Sequence, residues 1–245
     1  MSKISYILPT NRALTDSRQS LESILQLPAH DKEIIVCAPS SVMTESDKEY
    51  AALNKITLID DDKCMGSVYA FDKAYKASDG DYVSCLIDDI AYPSNFLEML
   101  DFMNGDFMSR KIFKVANIMW DGGPGLPLDG NDTKHNGVVW DINTSHPIDV
   151  KLCPYAIIPL PFLERRTIEE KLSGHIFHPD FRQSYCDHWL GFYICKNEKF
   201  EPYRWKCKSI SYIDIPNNRP STSNNNTGEV FKKLVESFAD GTPYV

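Results

Sequence analysis

The feature that most constrains the fold is an alternation, in the first half of the chain, of short apolar runs with segments of helical periodicity. Runs rich in β-branched and aromatic residues predict strands at 4–8, 33–37, 56–59 and 82–87. The segments between them place apolar residues on one side of a helix, among them Leu14, Leu21, Ile24 and Leu25. Strand–helix–strand units of this kind predict an α/β fold with a mostly parallel central sheet flanked by helices.

The second half has a weaker pattern, with strands predicted near 113–119, 138–142 and 210–215. The chain has 245 residues, of which 42% are hydrophobic, so it can bury one continuous core. We therefore predict a single domain over 1–215, formed by a regular half at 1–105 and a less regular half at 106–215. Residues 216–245 are predicted to be a polar loop and a C-terminal helix packed on the same domain.

Charge and cysteine content exclude several classes of protein. A formal net charge of -8 argues against nucleic acid as a partner, because binding its phosphates needs a basic surface. The seven cysteines form an odd number without a CxxC pair, which fits neither a disulfide framework nor a structural zinc site. The first apolar run is too short for a signal peptide, and no stretch is long enough for a transmembrane segment. We expect a cytoplasmic protein with reduced cysteines.

Two adjacent carboxylates, Asp88 and Asp89, follow the fourth predicted strand. Ligands of open α/β sheets bind at the carboxyl ends of the strands, so a site is expected here. Neighbouring carboxylates repel each other and need a cation or hydrogen-bond donors to stay ionised. A divalent metal, Mg²⁺ or Mn²⁺, held by one or two carboxylates and substrate phosphates would supply that charge. The alternative is a solvated turn that caps the next helix.

Four segments in this order resemble the family 2 glycosyltransferases, which are nucleotide-sugar-dependent enzymes of the GT-A fold. They are ISYILPTNR, EIIVCAPSS, MGSVYAFDKAYKASDGDYV and LIDDIAYPSNFLEML. The resemblance implies a GT-A-like (Rossmann-like) fold, with nucleotide-sugar binding in 1–105 and acceptor binding in 106–215. It also implies that Thr10 and Asn11 line the base and ribose pocket, that Asp88 binds ribose, and that Asp89 binds a metal on the diphosphate.

The chain departs from the family pattern in two places. Acidic residues that help to hold the base commonly follow the second strand, where this chain has Cys37, Ala38 and Pro39. The base of the donor therefore stays open. The third segment has Asp72 where the family usually has Asn, and its neighbouring cation is either Lys73 or Lys76.

In the second half, FRQSYCDHWLGFYI places Asp187 where the family carries an acidic residue next to the acceptor. The resemblance implies that Asp187 is a general base, which would accept a proton from the acceptor hydroxyl. The alternative is an N-terminal helix cap. The spacing of His175, His178 and His188 matches no common zinc motif. Trp189 is predicted either to stack on a sugar or to pack in the core.

The function that these patterns favour is transfer of a sugar from a nucleoside-diphosphate sugar to a hydroxyl acceptor, with inversion implied by the resemblance alone. One alternative is a non-catalytic module that binds nucleotide sugars or carbohydrates. A second is a sugar nucleotidyltransferase, which normally has a Gly-rich basic loop after the first strand. The stretch PTNRALTDSR has arginines but no glycine at that place, which counts against the second alternative.

Overall fold

The structure, a computed structural model, describes residues 2–92, 94–119, 158, 160–198, 204–206, 211–212 and 227–245. The strand predicted at 138–142 lies outside the described residues. None of the helices in the described ranges combines the length and the apolar character that a membrane crossing requires.

Nine strands are described: β1 (Ile4–Pro9), β2 (Lys32–Ala38), β3 (Ile56–Asp60), β4 (Tyr82–Cys85), β5 (Ile90–Ala91), β6 (Val115–Met119), β7 (Pro161–Glu164), β8 (Arg204–Lys206) and β9 (Ser211–Tyr212). The described helices are α1 (Leu14–Leu25), α2 (Glu45–Leu53), α3 (Ser67–Lys76), α4 (Glu98–Asn104), α5 (Asp106–Ser109), α6 (Arg165–Lys171), α7 (Cys186–Glu198) and α8 (Thr227–Ser237). A 3-10 turn, Ser94–Leu97, leads directly into α4.

Among the described residues, seven strands form one sheet in the order β3-β2-β1-β4-β7-β6-β8. β1 to β4 are mutually parallel where they pair, and β8 is parallel to β6. β7 runs antiparallel to both β4 and β6. The predicted mostly parallel α/β sheet is therefore confirmed. The sequence analysis missed β7, because four residues are too few to show a periodic pattern.

The side chains of the central strands alternate between two hydrophobic clusters, one on each face of the sheet. On one face, Ile7 and Ile35 belong to a cluster with residues of α3, α6, α7 and α8. On the other face, Tyr6, Leu8 and Val36 belong to a cluster with residues of α1 and α4. Burial on both faces explains why these strands are continuous apolar runs in the sequence.

The C-terminal helix contributes to the first of these clusters. Phe231 and Val235 of α8 are buried in it, and the side chain of Tyr244 is almost fully enclosed. The Tyr244 hydroxyl donates to the backbone oxygen of Ile176 at 3.1 Å. Residues 227–245 are thus packed against the same core as α7.

The five cysteines within the described ranges are free. Cys37, Cys85 and Cys186 are buried, and Cys64 is exposed. Burial raises the pKa of the Cys186 thiol well above its ordinary value, so this cysteine is an unreactive core residue.

Candidate active site

The predicted donor-site residues meet at the carboxyl edge of the sheet, where β1 and β4 lie side by side. The Thr10 hydroxyl donates to Asp88 Oδ2 at 2.8 Å. Both residues are buried, with 8% and 5% of their surface exposed. Asn11 follows Thr10 and is exposed at the surface. The strand order reverses direction between β1 and β4, and such a switch point is where open α/β sheets bind their ligands.

The turn that carries Asp88 and Asp89 is held by α1 and by its own tyrosine. The Ser20 hydroxyl donates to the Ile87 carbonyl oxygen at 3.0 Å, and the Tyr92 N–H donates to the Ser23 hydroxyl at 2.9 Å. The Ile87 N–H donates to the Tyr92 hydroxyl at 3.1 Å. Both ends of the turn are therefore fixed, so the two carboxylates stand on a rigid support.

Arg12, which sequence reasoning missed, supplies a cation beside Asp88. Its Nε lies 3.8 Å from Asp88 Oδ2, and its backbone N–H donates to the Thr10 hydroxyl at 3.1 Å. Only 10% of the Arg12 side chain is exposed, and its buried Nη1 has no acceptor among the described residues. The guanidinium therefore balances the charge of Asp88 and retains unused donor capacity.

The donor set fits a divalent metal only if a substrate completes its coordination. In the described part of the chain, no three His, Cys, Asp or Glu side chains are grouped as metal ligands. Oδ2 of Asp88 accepts the Thr10 hydroxyl, and Asp89 is half-buried at the same turn. Mg²⁺ and Mn²⁺ are commonly held by one or two carboxylates plus substrate phosphates. The residues present are compatible with that arrangement, in which Asp89 would be the protein ligand.

Asp187 lies in the first turn of α7, where the positive end of the helix dipole stabilises a carboxylate. Its Oδ1 is 2.9 Å from Nδ1 of His188, and 23% of its side chain is exposed. Burial raises the pKa of this carboxyl, but the charge and hydrogen bond of His188 and the backbone N–H groups of the helix start lower it below its ordinary value. Asp187 is therefore ionised at neutral pH and able to accept a proton.

Three backbone contacts bring the segment before α7 to the carboxyl edge of the sheet. The Val68 N–H, at the start of α3, donates to the Arg182 carbonyl oxygen at 3.2 Å. A Cβ on Gly66 would come within 2.3 Å of that same oxygen, so only glycine permits this approach. The Ile158 N–H donates to the Asp187 carbonyl oxygen at 3.3 Å. Residue 158 precedes β7, whose first residues lie beside the carboxyl end of β4.

Several residues near these positions belong to the core instead. Trp189 is 1% exposed and its ring stacks on Phe192 and Tyr244, so of the two predicted roles the structure selects core packing. His178 is buried among aromatic rings, and burial lowers its pKa. His188 packs against Phe231.

In the segment MGSVYAFDKAYKASDGDYV, the residue at the position where the family usually has Asn also packs inside the protein. Asp72 is buried and lies 2.5 Å from Nδ1 of His175. Burial raises the pKa of Asp72, and His175 opposes that rise. Of the two candidate cations, Lys73 donates to the Asp60 carbonyl oxygen at 2.6 Å and pairs with the Asp62 carboxylate. Lys73 therefore ties α3 to the loop after β3.

No family model matches the sequence, and no curated protein matches it. Solved structures do share its fold. TarS 1-349 from S. aureus in complex with UDP-GlcNAc superposes with a TM-score of 0.64 at 13% identity, covering 95% of this chain and 65% of that one. For TarS 1-349 alone the TM-score is 0.59 at 14% identity, covering 86% of this chain and 60% of that one.

The mannosyltransferase PcManGT from Pyrobaculum calidifontis, in complex with GDP-Man and Mn²⁺, superposes with a TM-score of 0.55 at 14% identity. The match covers 89% of this chain and 58% of that one. This chain thus spans about three fifths of the length of these proteins. The likeness confirms the GT-A-like fold predicted from the sequence, and with it the resemblance to nucleotide-sugar-dependent glycosyltransferases at the level of fold.

Proposed function

We propose that the chain is a metal-dependent glycosyltransferase that moves a sugar from a nucleoside-diphosphate sugar to a hydroxyl acceptor, with inversion. The observation that carries the proposal is the buried contact of Thr10 with Asp88 at the β1–β4 switch point, with Asp89 next to it. TarS was crystallised with UDP-GlcNAc and PcManGT with GDP-Man and Mn²⁺, which supports the same class of donor here.

In this proposal the donor lies along the carboxyl edge of β1 and β4, within the half at 1–105. Asp88, held by Thr10 and balanced by Arg12, accepts hydrogen bonds from the ribose hydroxyls. Thr10 and the exposed Asn11 line the nucleoside pocket. Asp89 binds a divalent metal together with the diphosphate. Such a metal neutralises the charge that develops on the leaving nucleoside diphosphate.

In this proposal, Asp187 is the general base for the acceptor, which is bound by the half at 106–215. An acceptor hydroxyl is a poor nucleophile, and a carboxylate that takes its proton raises its reactivity. As the new bond forms between the acceptor oxygen and the anomeric carbon, the bond from that carbon to the diphosphate breaks. The proton passes to the carboxylate of Asp187, whose Oδ1 is held by His188. A single displacement of this kind inverts the anomeric centre.

The reducing cytoplasm is the compartment that we propose. The five free cysteines of the described ranges support it, since oxidising compartments favour disulfides.

A binding screen followed by a turnover assay tests the proposal. The melting temperature of the chain is measured with UDP, GDP, CDP and ADP, each with and without Mn²⁺, because a ligand that binds the native state raises it. The nucleoside-diphosphate sugars of the bases that bind are then incubated with candidate hydroxyl acceptors. A metal-dependent rise in melting temperature with transfer supports the proposal. Binding without either transfer or donor hydrolysis favours a non-catalytic module that binds nucleotide sugars, and no binding of any nucleotide contradicts the proposed function.

A further inference from the structure

His188 connects the proposed general base to the C-terminal helix. Its Nδ1 lies 2.9 Å from Oδ1 of Asp187, and because an ionised carboxylate only accepts hydrogen bonds, the His188 N–H is the donor. His188 is 9% exposed, so its imidazole lies inside the protein. One carboxylate oxygen of the proposed base is therefore bound by a buried side chain.

Two aromatic rings enclose the His188 imidazole. The centroid of the Tyr185 ring is 5.0 Å from that of His188, and the centroid of Phe231, from α8, is 6.1 Å away. Tyr185 and Phe231 also contact each other, with 5.9 Å between their centroids. Phe231 is fully buried, and Gly228, at the start of α8, lies against the Tyr185 ring. Docking of α8 thus completes a cluster of three rings around the imidazole.

The backbone of Tyr185 is held in an unusual conformation directly before α7. Its φ of +68° lies in the left-handed region that bulky residues rarely adopt. Such conformations persist where the surrounding contacts over-determine them. The Tyr185 carbonyl oxygen accepts the Trp189 N–H at 2.9 Å, which closes the first turn of α7. The turn before Asp187 is therefore fixed both by α7 and by the ring cluster.

The groups around Asp187 make His188 the partner to test. Burial raises the pKa of the Asp187 carboxyl, and the charge and hydrogen bond of His188 are the largest effects that lower it. Tyr185 and Cys186 also lie beside Asp187, but burial raises the pKa of both groups, so they stay neutral at pH 7. The charged side chains of α8 are exposed, while Phe231 faces His188. A change at His188 should therefore alter the titration of Asp187.

We propose that His188 is a positioning residue for the general base, and that the C-terminal helix α8 acts on transfer through it. The His188 N–H holds Oδ1, which leaves Oδ2 of Asp187 to take the proton of the acceptor hydroxyl. Misplacement of a catalytic group by about 1 Å can lower a rate about 100-fold, so a fixed carboxylate favours transfer. This inference rests on the proposed function, because it needs Asp187 as the base.

Two substitutions of His188 separate hydrogen bonding from packing. His188→Phe keeps a ring between Tyr185 and Phe231 but removes the donor, so the transfer rate should fall at least about tenfold while nucleotide affinity stays at the parent value. His188→Asn loses the ring but keeps an N–H on an atom bonded to Cγ, as Nδ1 is, so it should recover much of that rate. Melting temperatures show whether each variant is folded. A parent-like rate in folded His188→Phe would overturn the assignment.

Phe231→Leu tests the link to α8, with Phe238→Leu as the matched control. Phe238 packs on Trp189 and Phe192, farther along α7. Both variants should lose stability, but only Phe231→Leu should also slow transfer, by a few-fold. Added to His188→Phe, Phe231→Leu should slow transfer little further, because residues that act through one another have non-additive effects. Equal transfer rates for the two leucine variants would show that α8 does not act through His188.

Titration of the Asp187 carboxyl by carbon NMR tests the same link without a transfer assay. Its pKa should rise in His188→Phe, because a donor that stabilises the ionised form is lost. It should rise less in Phe231→Leu and stay at the parent value in Phe238→Leu. A pKa that does not respond to His188→Phe would overturn the positioning role. A parent protein that shows the expected titration but transfers no sugar would overturn the proposed function instead.

Discussion

The hydroxyl of Thr10 donates a 2.8 Å hydrogen bond to Oδ2 of Asp88, which joins two strand ends that are 78 residues apart in the chain. Asp88 is buried, so this bond and the Arg12 guanidinium at 3.8 Å fix the carboxylate in one orientation. The proposed ribose-binding oxygen is thus positioned before any ligand arrives.

Thr10→Val tests this positioning, because valine has the same shape but no donor. A hydrogen bond to a charged group contributes about 1.5–3 kcal/mol. We therefore expect nucleotide affinity to fall about 10- to 100-fold. Thr10→Ser keeps the hydroxyl and should stay within a few-fold of the parent. Titration of a nucleoside diphosphate into both variants makes the comparison, and equal affinities for Val and Ser would show that the bond does not support binding.

Asp89→Ala tests the proposed metal ligand. A half-buried turn carboxylate contributes little to packing, so the variant should keep its melting temperature but lose the part of nucleotide binding that depends on Mn²⁺. Asp101→Ala, which removes an exposed carboxylate from α4, is the control and should behave as the parent. Binding is measured with Mn²⁺ and with a chelator. Full metal-dependent binding by Asp89→Ala would remove this residue from the site.

Asp187→Asn separates proton transfer from helix capping. Asparagine keeps the size of the side chain but cannot take the acceptor proton, so transfer should fall by roughly 10²- to 10⁴-fold while donor binding survives. Asn caps helices about as well as Asp, so a purely structural role predicts little change. Initial rates and melting temperatures are compared with those of Asp180→Asn, an exposed control. A parent-like rate would exclude Asp187 as the base.

Gly66→Ala tests how the segment before α7 is held. Gly66 has φ +107 and no room for a Cβ beside the Arg182 carbonyl, whereas Gly174 has φ +78 and open space around it. Gly174→Ala should therefore cost only backbone strain, about 1–3 kcal/mol. Gly66→Ala should cost more and should also slow transfer, because Arg182 leads into the turn before Asp187. Equal losses of stability, with transfer unchanged in both, would argue that this contact does not position Asp187.

The stability of Asp61→Asn should depend on pH. Burial raises the pKa of the Asp61 carboxyl above its ordinary value, against the Cys64 N–H and the Lys73 charge. The fold therefore favours the protonated form, and the stability that this form contributes is lost as pH rises through the raised pKa. At pH 7, Asp61→Asn should melt at a higher temperature than the parent, and the difference should shrink as pH falls toward 4.

Asp62→Asn should behave in the opposite way in the same melting series. The hydrogen bond from Lys73 lowers the pKa of Asp62, so its carboxylate contributes stability at neutral pH that disappears in acid. Any loss caused by Asp62→Asn should therefore be largest near pH 7. If Asp61→Asn and the parent have the same melting temperature at every pH, burial of the Asp61 carboxyl does not lower the stability of the protein.

The sequence by itself determined the α/β class and the approximate positions of the first four strands, because side-chain periodicity is a local property of the backbone. It placed Asp88 and Asp89 after a buried strand, at the edge where ligands bind. The same rule applies to Arg12, which follows β1, so a search of every strand end would have included it.

Only the tertiary structure decided which of these side chains meet. Thr10 contacts Asp88, Asp72 turns inward to His175, and Trp189 packs in the core, although each stood in the sequence as a polar or aromatic candidate. The physical reason is that strand order and register depend on the burial of both sheet faces at once. The residues that bury each sheet face come from distant parts of the chain, so no local sequence pattern predicts the strand order or the register.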